Sequence, residues 1–412
     1  MYNSSGMDFK PPRGMDDIGP EEMAQRELVY GKIREVFRRY GFQLVEPTFI
    51  EEFKTLSAKS GPEIKDEIYY FKDKSGRELG LRFDLTVGVS RMVANNPNWK
   101  KPIRLSTISS MWRYDRPGYG RKRWFYQWNA EIYGVAGPEA DAEVICLSGD
   151  ILDALGIDYE MKVSNRKVVE ALIREQGVSE KENVEGCLRT VDKIRKLGEG
   201  ELLEEFGKYE LEKGGAEALL KDLEKGIEKL DVDGIDELKT VSEILTAVGK
   251  KFTIDLTVVR GLGYYTGMVW EACEKGNDQL GSLLGGGRYD DLMKVFDMDL
   301  PATGVAGGIE RTLMSLKAEP ESIKPRVFVI PINETEAAAA ICNRLRQKGL
   351  SAIYDLTGKG LSKNLQYADS VGVEYVVIVG AKDLENKEIT IRQMSSGKEE
   401  KVKLDKVEAF FK

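Results

Sequence analysis

The chain of 412 residues contains no histidine. That absence removes Ser-His-Asp hydrolysis, histidine general bases and imidazole-held metals together. Chemistry is left to carboxylates, Arg, Lys and Tyr, with Mg²⁺ as the metal compatible with such groups. Cysteine is scarce too: Cys146, Cys187, Cys273 and Cys342 lie far apart and form no CxxC pair. This spacing argues against a disulfide framework or a zinc site and fits a reducing cytoplasm. No apolar run approaches membrane-spanning length, and the opening MYNSSGMDFKPPRG has no apolar core of a secretory signal. Excess positive charge is also missing. The net charge is -8, so a polyanion must be met by local basic patches. Two nucleotide motifs are absent as well. Neither GLGYYTG nor LLGGGRYD completes a GxGxxG entering a helix with a following acidic residue, and there is no GxxxxGK[ST] loop.

What the chain does have is concentrated between Trp112 and Gly134, WRYDRPGYGRKRWFYQWNAEIYG. Met111 to Tyr114 and Trp124 to Tyr133 read as strands. Arg116, Arg121, Lys122 and Arg123 crowd the connection, which Pro117, Gly118 and Gly120 force to turn. Gln127, Asn129 and Glu131 are two apart and share one face of the second strand. A polar row ending in a carboxylate suits a sheet floor that binds a polar cation, beside a loop that holds phosphates. A hairpin with one solvated face is the alternative. Arg113, Arg260 and Arg311 each stand at the end of an element, beside glycines or another arginine, as phosphate and carboxylate clamps would.

The organisation around this hairpin follows from periodicity. Glu21 to Tyr40 has the apolar rhythm of a helix, with Pro20 at its start and Gly41 at its stop. A strand through Phe42 and Leu44 ends at Pro47. Ile68 to Phe71 and Leu79 to Leu85 read as paired strands around KDKSGRE. Pro138 to Leu155 reads as a helix with acidic residues in its first turn. Residues 165–250, dense in Lys and Glu with Leu and Ile at helical spacing, read as a helical insertion. Lys251 to Val259 and Tyr264 to Cys273 read as strands meeting at a tight RGLG turn. Leu280 to Leu292 is glycine-rich, and Gly304 to Leu316 reads as a strand entering a helix. Charge and proline cluster at Lys317 to Pro325. Beyond them VFVIPI, a helix at Glu334 to Lys348, a strand to Tyr354, a helix at Leu361 to Val371 and a strand at Tyr375 to Val379 alternate as βαβαβ. That order predicts a small α/β domain with largely parallel strands.

Taken in order, these segments resemble the histidyl-tRNA synthetases, a family of class II aminoacyl-tRNA synthetases. Tyr40 to Pro47 resembles motif 1, LRFDLT (Leu81 to Thr86) the amino-acid-binding segment, and Arg113 to Gln127 motif 2. RGLGYYTG (Arg260 to Gly267) and GGGRYDDL (Gly285 to Leu292) resemble the two histidine signatures. GVAGGIER (Gly304 to Arg311) resembles motif 3. The resemblance runs from Pro11 to Gly380. The sequence departs from the family at Gly263, where Asp is common, at Trp124, where Glu or Gln is usual, and at Gly118 and Tyr119 in the motif 2 loop.

The resemblance implies an α+β catalytic domain, an antiparallel sheet flanked by helices. This domain would occupy 1–164 and 251–320 around the helical insertion, with an α/β anticodon-binding domain at 326–412. It implies histidine–tRNA ligation through an adenylate, with ATP as substrate and Mg²⁺ beside it, in a cytoplasmic homodimer acting on L-histidine and histidine tRNA. Asp84, Thr86 and Gln127 would hold the α-ammonium group. Glu131 and Tyr265 would read the imidazole, with Tyr264 and Tyr289 beside them. Arg113, Arg121 and Arg311 would grip the ATP phosphates. Arg260 would touch both the histidine carboxylate and the α-phosphate, so that Arg260 and Arg113 carry the catalysis. Arg116 and Arg123 would meet the tRNA acceptor end. The runner-up is a synthetase-like regulatory subunit of ATP phosphoribosyltransferase, a binding module without ligase activity.

The missing histidines then acquire a use. A chain without His can be translated when charged histidine tRNA has run out, so the enzyme could be remade without its own product. In a translation extract depleted of histidine, synthesis of this chain should continue while His-containing proteins stall. An absence of His shared by other proteins of the same cell would reduce the effect to compositional bias.

Overall fold

The computed structural model describes residues 9–60, 62–118, 120–260, 264–320 and 324–411. The chain divides into two units, Met1–Glu319 and Pro320–Lys412. In the first, eight strands pair in the order Gln43–Leu44, Ile103–Trp112, Trp124–Tyr133, Ala302–Gly308, Ser282–Arg288, Met268–Glu274, Tyr159–Asn165 and Thr253–Ile254. The six long strands are antiparallel. The two-residue edge strands run parallel to their neighbours. A separate three-stranded sheet joins Ile50–Glu52, Glu78–Leu81 and Tyr70–Lys72.

The two faces of the large sheet are chemically different because side chains alternate along its strands, apart from a register shift between Ser282 and Leu284. On the back face Trp128, Ala130, Ile132, Leu284, Trp270, Ala272 and Val305 are buried. They share one core with the helices Pro20–Arg39 and Glu139–Leu155. Phe37 of the first helix meets Trp128 edge-on at 6.1 Å. A Cβ on Gly307 would come within 2.4 Å of the Trp128 indole, and one on Gly286 within 2.4 Å of the Trp270 indole. The bare backbone lets both indoles lie flat on the sheet. Arg288, the arginine of GGGRYD, is buried in an ion pair with Asp141 at 2.9 Å and so ties the central strand to the Glu139–Leu155 helix.

Five helices, Arg166–Glu175, Lys181–Val191, Glu199–Gly207, Lys213–Leu223 and Ile235–Ala247, occupy the span read as an insertion. Their apolar faces, through Val169, Leu188, Phe206, Leu219 and Leu238, continue the core behind the sheet.

Several sequence expectations are corrected here. Lys251 to Val259 forms only the short strand Thr253–Ile254, and it does not form a hairpin with Met268–Glu274. Both flank Tyr159–Asn165, one parallel and the other antiparallel. Arg260 therefore closes no strand, and Gly261 to Gly263 lie outside the described residues. The strand expected over Leu79 to Leu85 ends at Leu81, because the Asp84 side chain accepts the Val87 N–H (3.2 Å) and starts a helix, Leu85–Ala94. The strand expected from Met111 begins at Ile103 and ends at Trp112. The glycine-rich Leu280 to Leu292 supplies a central strand, Ser282–Arg288.

In the second unit five strands pair in the order Ala352–Tyr354, Val327–Ile332, Tyr375–Gly380, Glu388–Gln393 and Glu399–Lys403. The first three are parallel; the last two, beyond the expected βαβαβ, are antiparallel. Helices Thr335–Gln347 and Leu361–Val371 cover opposite faces, as separate cores around Val329 and Phe328 require.

The glycines allow a two-sided test. Gly307→Ala should lower stability to chemical denaturation by about 1–3 kcal/mol, because the added methyl collides with Trp128. Gly31→Ala, in the exposed middle of Pro20–Arg39 with nothing within 4 Å of the new Cβ, should raise it by about 0.5–1 kcal/mol. Equal responses at the two positions would contradict the packing described.

Candidate active site

The front face carries the polar row. Gln127 Nε2 donates to Asn129 Oδ1 (2.8 Å). Asn129 Nδ2 lies 3.1 Å from both Thr86 Oγ1 and Glu131 Oε1. The Tyr133 hydroxyl donates to the other Glu131 oxygen and lies 3.1 Å from Ser90 Oγ. Thr86 and Ser90 come from the helix that Asp84 caps, so the unforeseen helix completes the row. Glu131 is 1% exposed. Burial pushes its carboxyl above the usual range, against the opposing hydrogen bonds from Thr86, Tyr133 and Asn129. A buried carboxylate held only by neutral donors is an acceptor suited to a ligand N–H or cation.

An aromatic wall stands over this carboxylate. The rings of Tyr264 and Tyr265 are 4.4 Å apart, and Tyr264 meets Tyr289 edge-on at 6.1 Å. Burial, then the charge of Asp84, raises the Tyr264 phenol, with Glu131 adding to it. Burial, then Glu131, does the same to Tyr289. The buried Tyr289 hydroxyl makes no hydrogen bond of good geometry among the described residues. A Cβ on Gly304 would come within 2.8 Å of both this hydroxyl and Glu131 Cγ. Tyr265 lies over Gly287 in the same way, and the Arg260 guanidinium lies over Gly285, 2.4 Å from where a Cβ would stand. The glycine run thus forms the floor of a pocket.

Four arginines meet beside that floor. Arg260, at φ 55°, holds a backbone conformation that costs a non-glycine residue about 1 kcal/mol or more. Its guanidinium pairs with Glu271 at 3.1 Å. The Glu271 carboxylate also accepts from the Ser282 hydroxyl (2.6 Å). Arg311 Nη1 donates to the Ser282 carbonyl (2.7 Å), and Arg113 Nε to the Phe83 carbonyl (3.2 Å). Burial, then the like charges of Arg121, Arg260 and Arg113, pulls the Arg311 guanidinium below its ordinary range. Positive groups kept this close create a site for a polyanion.

The sequence-derived residues fall into three groups. Thr86, Gln127, Glu131, Tyr264, Tyr265 and Tyr289 converge on the pocket, with Asp84 at the N-terminus of its flanking helix. Arg113, Arg121, Arg260 and Arg311 converge on the anion site. Arg116 is exposed outside both, and Arg123 is turned inward, its Nε donating to the Asp115 carbonyl (3.0 Å). Sequence reasoning missed Glu271, Tyr133 and the buried Arg82. Arg82 bonds to Glu46 at 2.7 Å, the Pro47 carbonyl at 2.6 Å and the Ser110 carbonyl at 2.8 Å. The period-two spacing from Glu131 to Tyr133 could have pointed to Tyr133. Glu271 needed the pairing with Gly285, which no local pattern reveals.

An antiparallel sheet with a polar floor, flanked by helices and edged with arginines, defines a class II synthetase-like catalytic unit. Residues 14–312 match the family model described as histidyl-tRNA synthetase, and residues 326–412 the model of an anticodon binding domain. The chain is 38% identical over 419 residues to the histidine–tRNA ligase of Pyrococcus abyssi, covering 96% of each. It is 37% identical to that of Methanocaldococcus jannaschii, covering 98% of this chain and 99% of the relative. The histidyl-tRNA synthetase of Nostoc sp. PCC 7120 shares the fold with a TM-score of 0.84 at 24% identity, over 98% of this chain and 99% of that one. A Bacillus halodurans structure, titled as an ATP phosphoribosyltransferase regulatory subunit/histidyl-tRNA synthetase, aligns with a TM-score of 0.78 at 22% identity, over 91% of this chain and 99% of that one. The chain belongs to the histidyl-tRNA synthetase family.

The arginine cluster can be tested without any turnover. Inorganic tripolyphosphate at a hundredfold its dissociation constant should stabilise the protein by about 2.7 kcal/mol, read as a rise in Tm. Arg311→Ala should weaken that binding roughly tenfold or more, the worth of one charge-assisted bond. A variant that binds tripolyphosphate like the parent would remove Arg311 from the anion site.

Proposed function

We propose that this chain ligates L-histidine to its tRNA, using ATP and passing through histidyl-adenylate. The observation that carries the reading is the juxtaposition of the buried Glu131 carboxylate and its tyrosine wall with the four-arginine cluster. One pocket suits an imidazole N–H, the other a triphosphate. Asp84, Thr86 and Gln127 hold the α-ammonium: a carboxylate supplies charge and two neutral groups satisfy the remaining donors. Tyr265 and Glu131 take the two imidazole nitrogens. This leaves the histidine carboxylate toward Arg260.

In the first step a carboxylate oxygen of histidine attacks the α-phosphorus and the bond to the bridging oxygen of pyrophosphate breaks. Negative charge grows on the α-phosphate and the leaving pyrophosphate. Arg260, preoriented by Glu271 and the bare Gly285, faces the first; Arg113, Arg121 and Arg311 take up the second. In the second step a hydroxyl of the terminal tRNA ribose attacks the activated carbonyl, its proton passes to a phosphate oxygen of the departing AMP, and AMP leaves. No group of three or more His, Cys, Asp or Glu side chains that could hold a metal occurs among the described residues. Mg²⁺ accompanying ATP would therefore draw its ligands mainly from phosphates and water, as this ion does.

The second unit, matched by the anticodon-binding model, supplies affinity and register for the tRNA. The exposed Arg116 serves its acceptor end, and Arg123, turned inward to the Asp115 carbonyl, supports the same loop from behind. A second copy of the chain fits the edge at Gln43–Leu44, where Leu44, Phe49 and Ile50 are each about half exposed. No helix among the described residues is long and apolar enough to cross a membrane, and the four free cysteines suit a reducing cytoplasm. The regulatory-subunit reading lacks a supporting feature, since the arginine cluster and the second unit are both present.

Histidine-dependent exchange of pyrophosphate into ATP, followed by charging of histidine tRNA, tests the proposal. Glu131→Gln should raise the KM for histidine at least tenfold and leave that for ATP unchanged, because an amide loses the charge and replaces one of the two buried acceptor oxygens with a donor. Arg260→Lys should lower kcat of exchange on the order of 10²–10³-fold, since Lys keeps the charge and loses the fork. A parent protein that binds ATP without exchange would support the regulatory reading instead.

A further inference from the structure

The central strand Ser282–Arg288 begins with an irregularity. Leu284 pairs with Ala272 and Ser282 with Cys273, so this strand carries one more residue than its partner between those pairs. A period of two kept throughout would put Ser282 on the face of Leu284, behind the sheet. The extra residue instead sends both Leu283 and Leu284 into the core and brings Ser282 round to the front, beside Glu271. Gly281, immediately before it, turns the chain into the strand at φ 70°, a backbone conformation that suits glycine. Both polar groups of Ser282 then serve the arginine cluster. Its hydroxyl donates to Glu271 Oε2 (2.6 Å), the same oxygen that accepts from Arg260 Nη1 (3.1 Å). Its carbonyl accepts from Arg311 Nη1 (2.7 Å).

A guanidinium on a long side chain is aimed only where its far end is held. In the adenylation proposed above, Arg260 faces the α-phosphate and Arg311 the leaving pyrophosphate. We propose that Ser282 is a positioning residue that sets the spacing of these two guanidinium groups, its hydroxyl holding Glu271 against Arg260 and its carbonyl holding Arg311. In-line displacement develops charge on both phosphate groups together, so the spacing of the forks counts for more in the transition state than in binding. The inference rests on the proposed ligation and adds a residue that acts through Arg260 and Arg311 rather than on the substrate.

Substitutions in the full chain test it. Ser282→Ala should lower kcat of pyrophosphate exchange about tenfold, the worth of a hydrogen bond to a charged group, and leave the KM for histidine and for ATP unchanged. Ser282→Thr, which keeps the hydroxyl on a side chain suited to strands, should recover most of that loss. In an Arg260→Lys background Ser282→Ala should lower kcat no further, since the fork it holds is already gone. Further readouts need no turnover. Phenylglyoxal, which modifies guanidinium groups, should label Arg260 severalfold faster in Ser282→Ala than in the parent, with Arg113 unchanged. Gly281→Ala, strained at φ 70°, should shift the Ser282 carbonyl and weaken tripolyphosphate binding severalfold. Unchanged exchange in Ser282→Ala, a change confined to KM, or a loss that adds in full to that of Arg260→Lys would each overturn the proposal. So would unchanged labelling of Arg260, or faster labelling of all four arginines, the mark of a loosened fold. Tripolyphosphate binding by Gly281→Ala that matches the parent's would overturn the part assigned to the carbonyl. A parent without exchange would remove the ligase reading, and the labelling comparison would still decide Ser282.

Discussion

A side chain can lie flat on a β-sheet only where the strand beneath carries none. The N-terminal unit depends on this constraint on both faces at once. On the back, Gly286 and Gly307 let Trp270 and Trp128 press against the backbone and thin the core to the reach of the flanking helices. On the front, Gly285, Gly287 and Gly304 give the same room to Arg260, Tyr265, Tyr289 and Glu131. Both central strands, Ser282–Arg288 and Ala302–Gly308, alternate bare positions between the two faces. Glycine is intrinsically poor in strand interiors. The indoles offset that cost, since burying a large aromatic contributes about 2 kcal/mol or more. The packing behind the sheet thus stabilises the hollow in front of it.

The hollow is filled with groups that a folding argument would leave out. Glu131 is buried with neutral donors only, and four arginines are held within electrostatic reach of one another. Each arrangement destabilises the empty protein and favours a ligand that supplies what is missing: an N–H or cation for Glu131, a polyanion for the arginines. Glu271 moderates the second conflict. One carboxylate paired with Arg260 fixes its fork while leaving the net charge of the cluster strongly positive. Arg82 resolves the comparable problem elsewhere. It is buried outright, but its donors all go to Glu46, Ser109 and the carbonyls of Pro47 and Ser110, so it acts as a joint between motif 1 and the long Ile103–Trp112 strand.

Much of this was legible in the sequence, for reasons that also explain what was not. The spacing of Gln127, Asn129 and Glu131 is a period of two, and a strand must put such residues on one face. Arg113 and Arg311 stand at element ends because their motifs place them there. The glycine strand was invisible, because glycine carries no periodic signal. The Leu85–Ala94 helix was hidden by its β-branched residues and by Gly88, and only the Asp84 cap announces it. The RGLG segment misled because its flanking strands pair with Tyr159–Asn165, about a hundred residues earlier in the chain. Arg260 was found through its motif, but its position depends on a left-handed backbone and on Gly285, neither of which a local pattern contains. Trp124, a departure from the family, meets Tyr126 in a tilted ring contact at 5.8 Å at the mouth of the hairpin. Gly263 and Tyr119 lie outside the described residues.

The absence of histidine is consistent with this geometry at every point. A site of the kind proposed, one that reads an imidazole, needs acceptors and donors complementary to the ring, and Glu131 with the tyrosine hydroxyls would provide both kinds. A resident imidazole would offer the same mixed donor and acceptor pattern as the ligand and could satisfy Glu131 in its place. Orientation of Glu131 falls to Asn129, Thr86 and Tyr133, none of which titrates near neutrality unless strongly perturbed. The first step requires no proton-transfer group either. Adenylate formation moves charge between phosphate and carboxylate oxygens, and fixed guanidinium groups stabilise such charge without exchanging protons. In this pocket the chemistry itself makes no demand for the residue that the chain lacks.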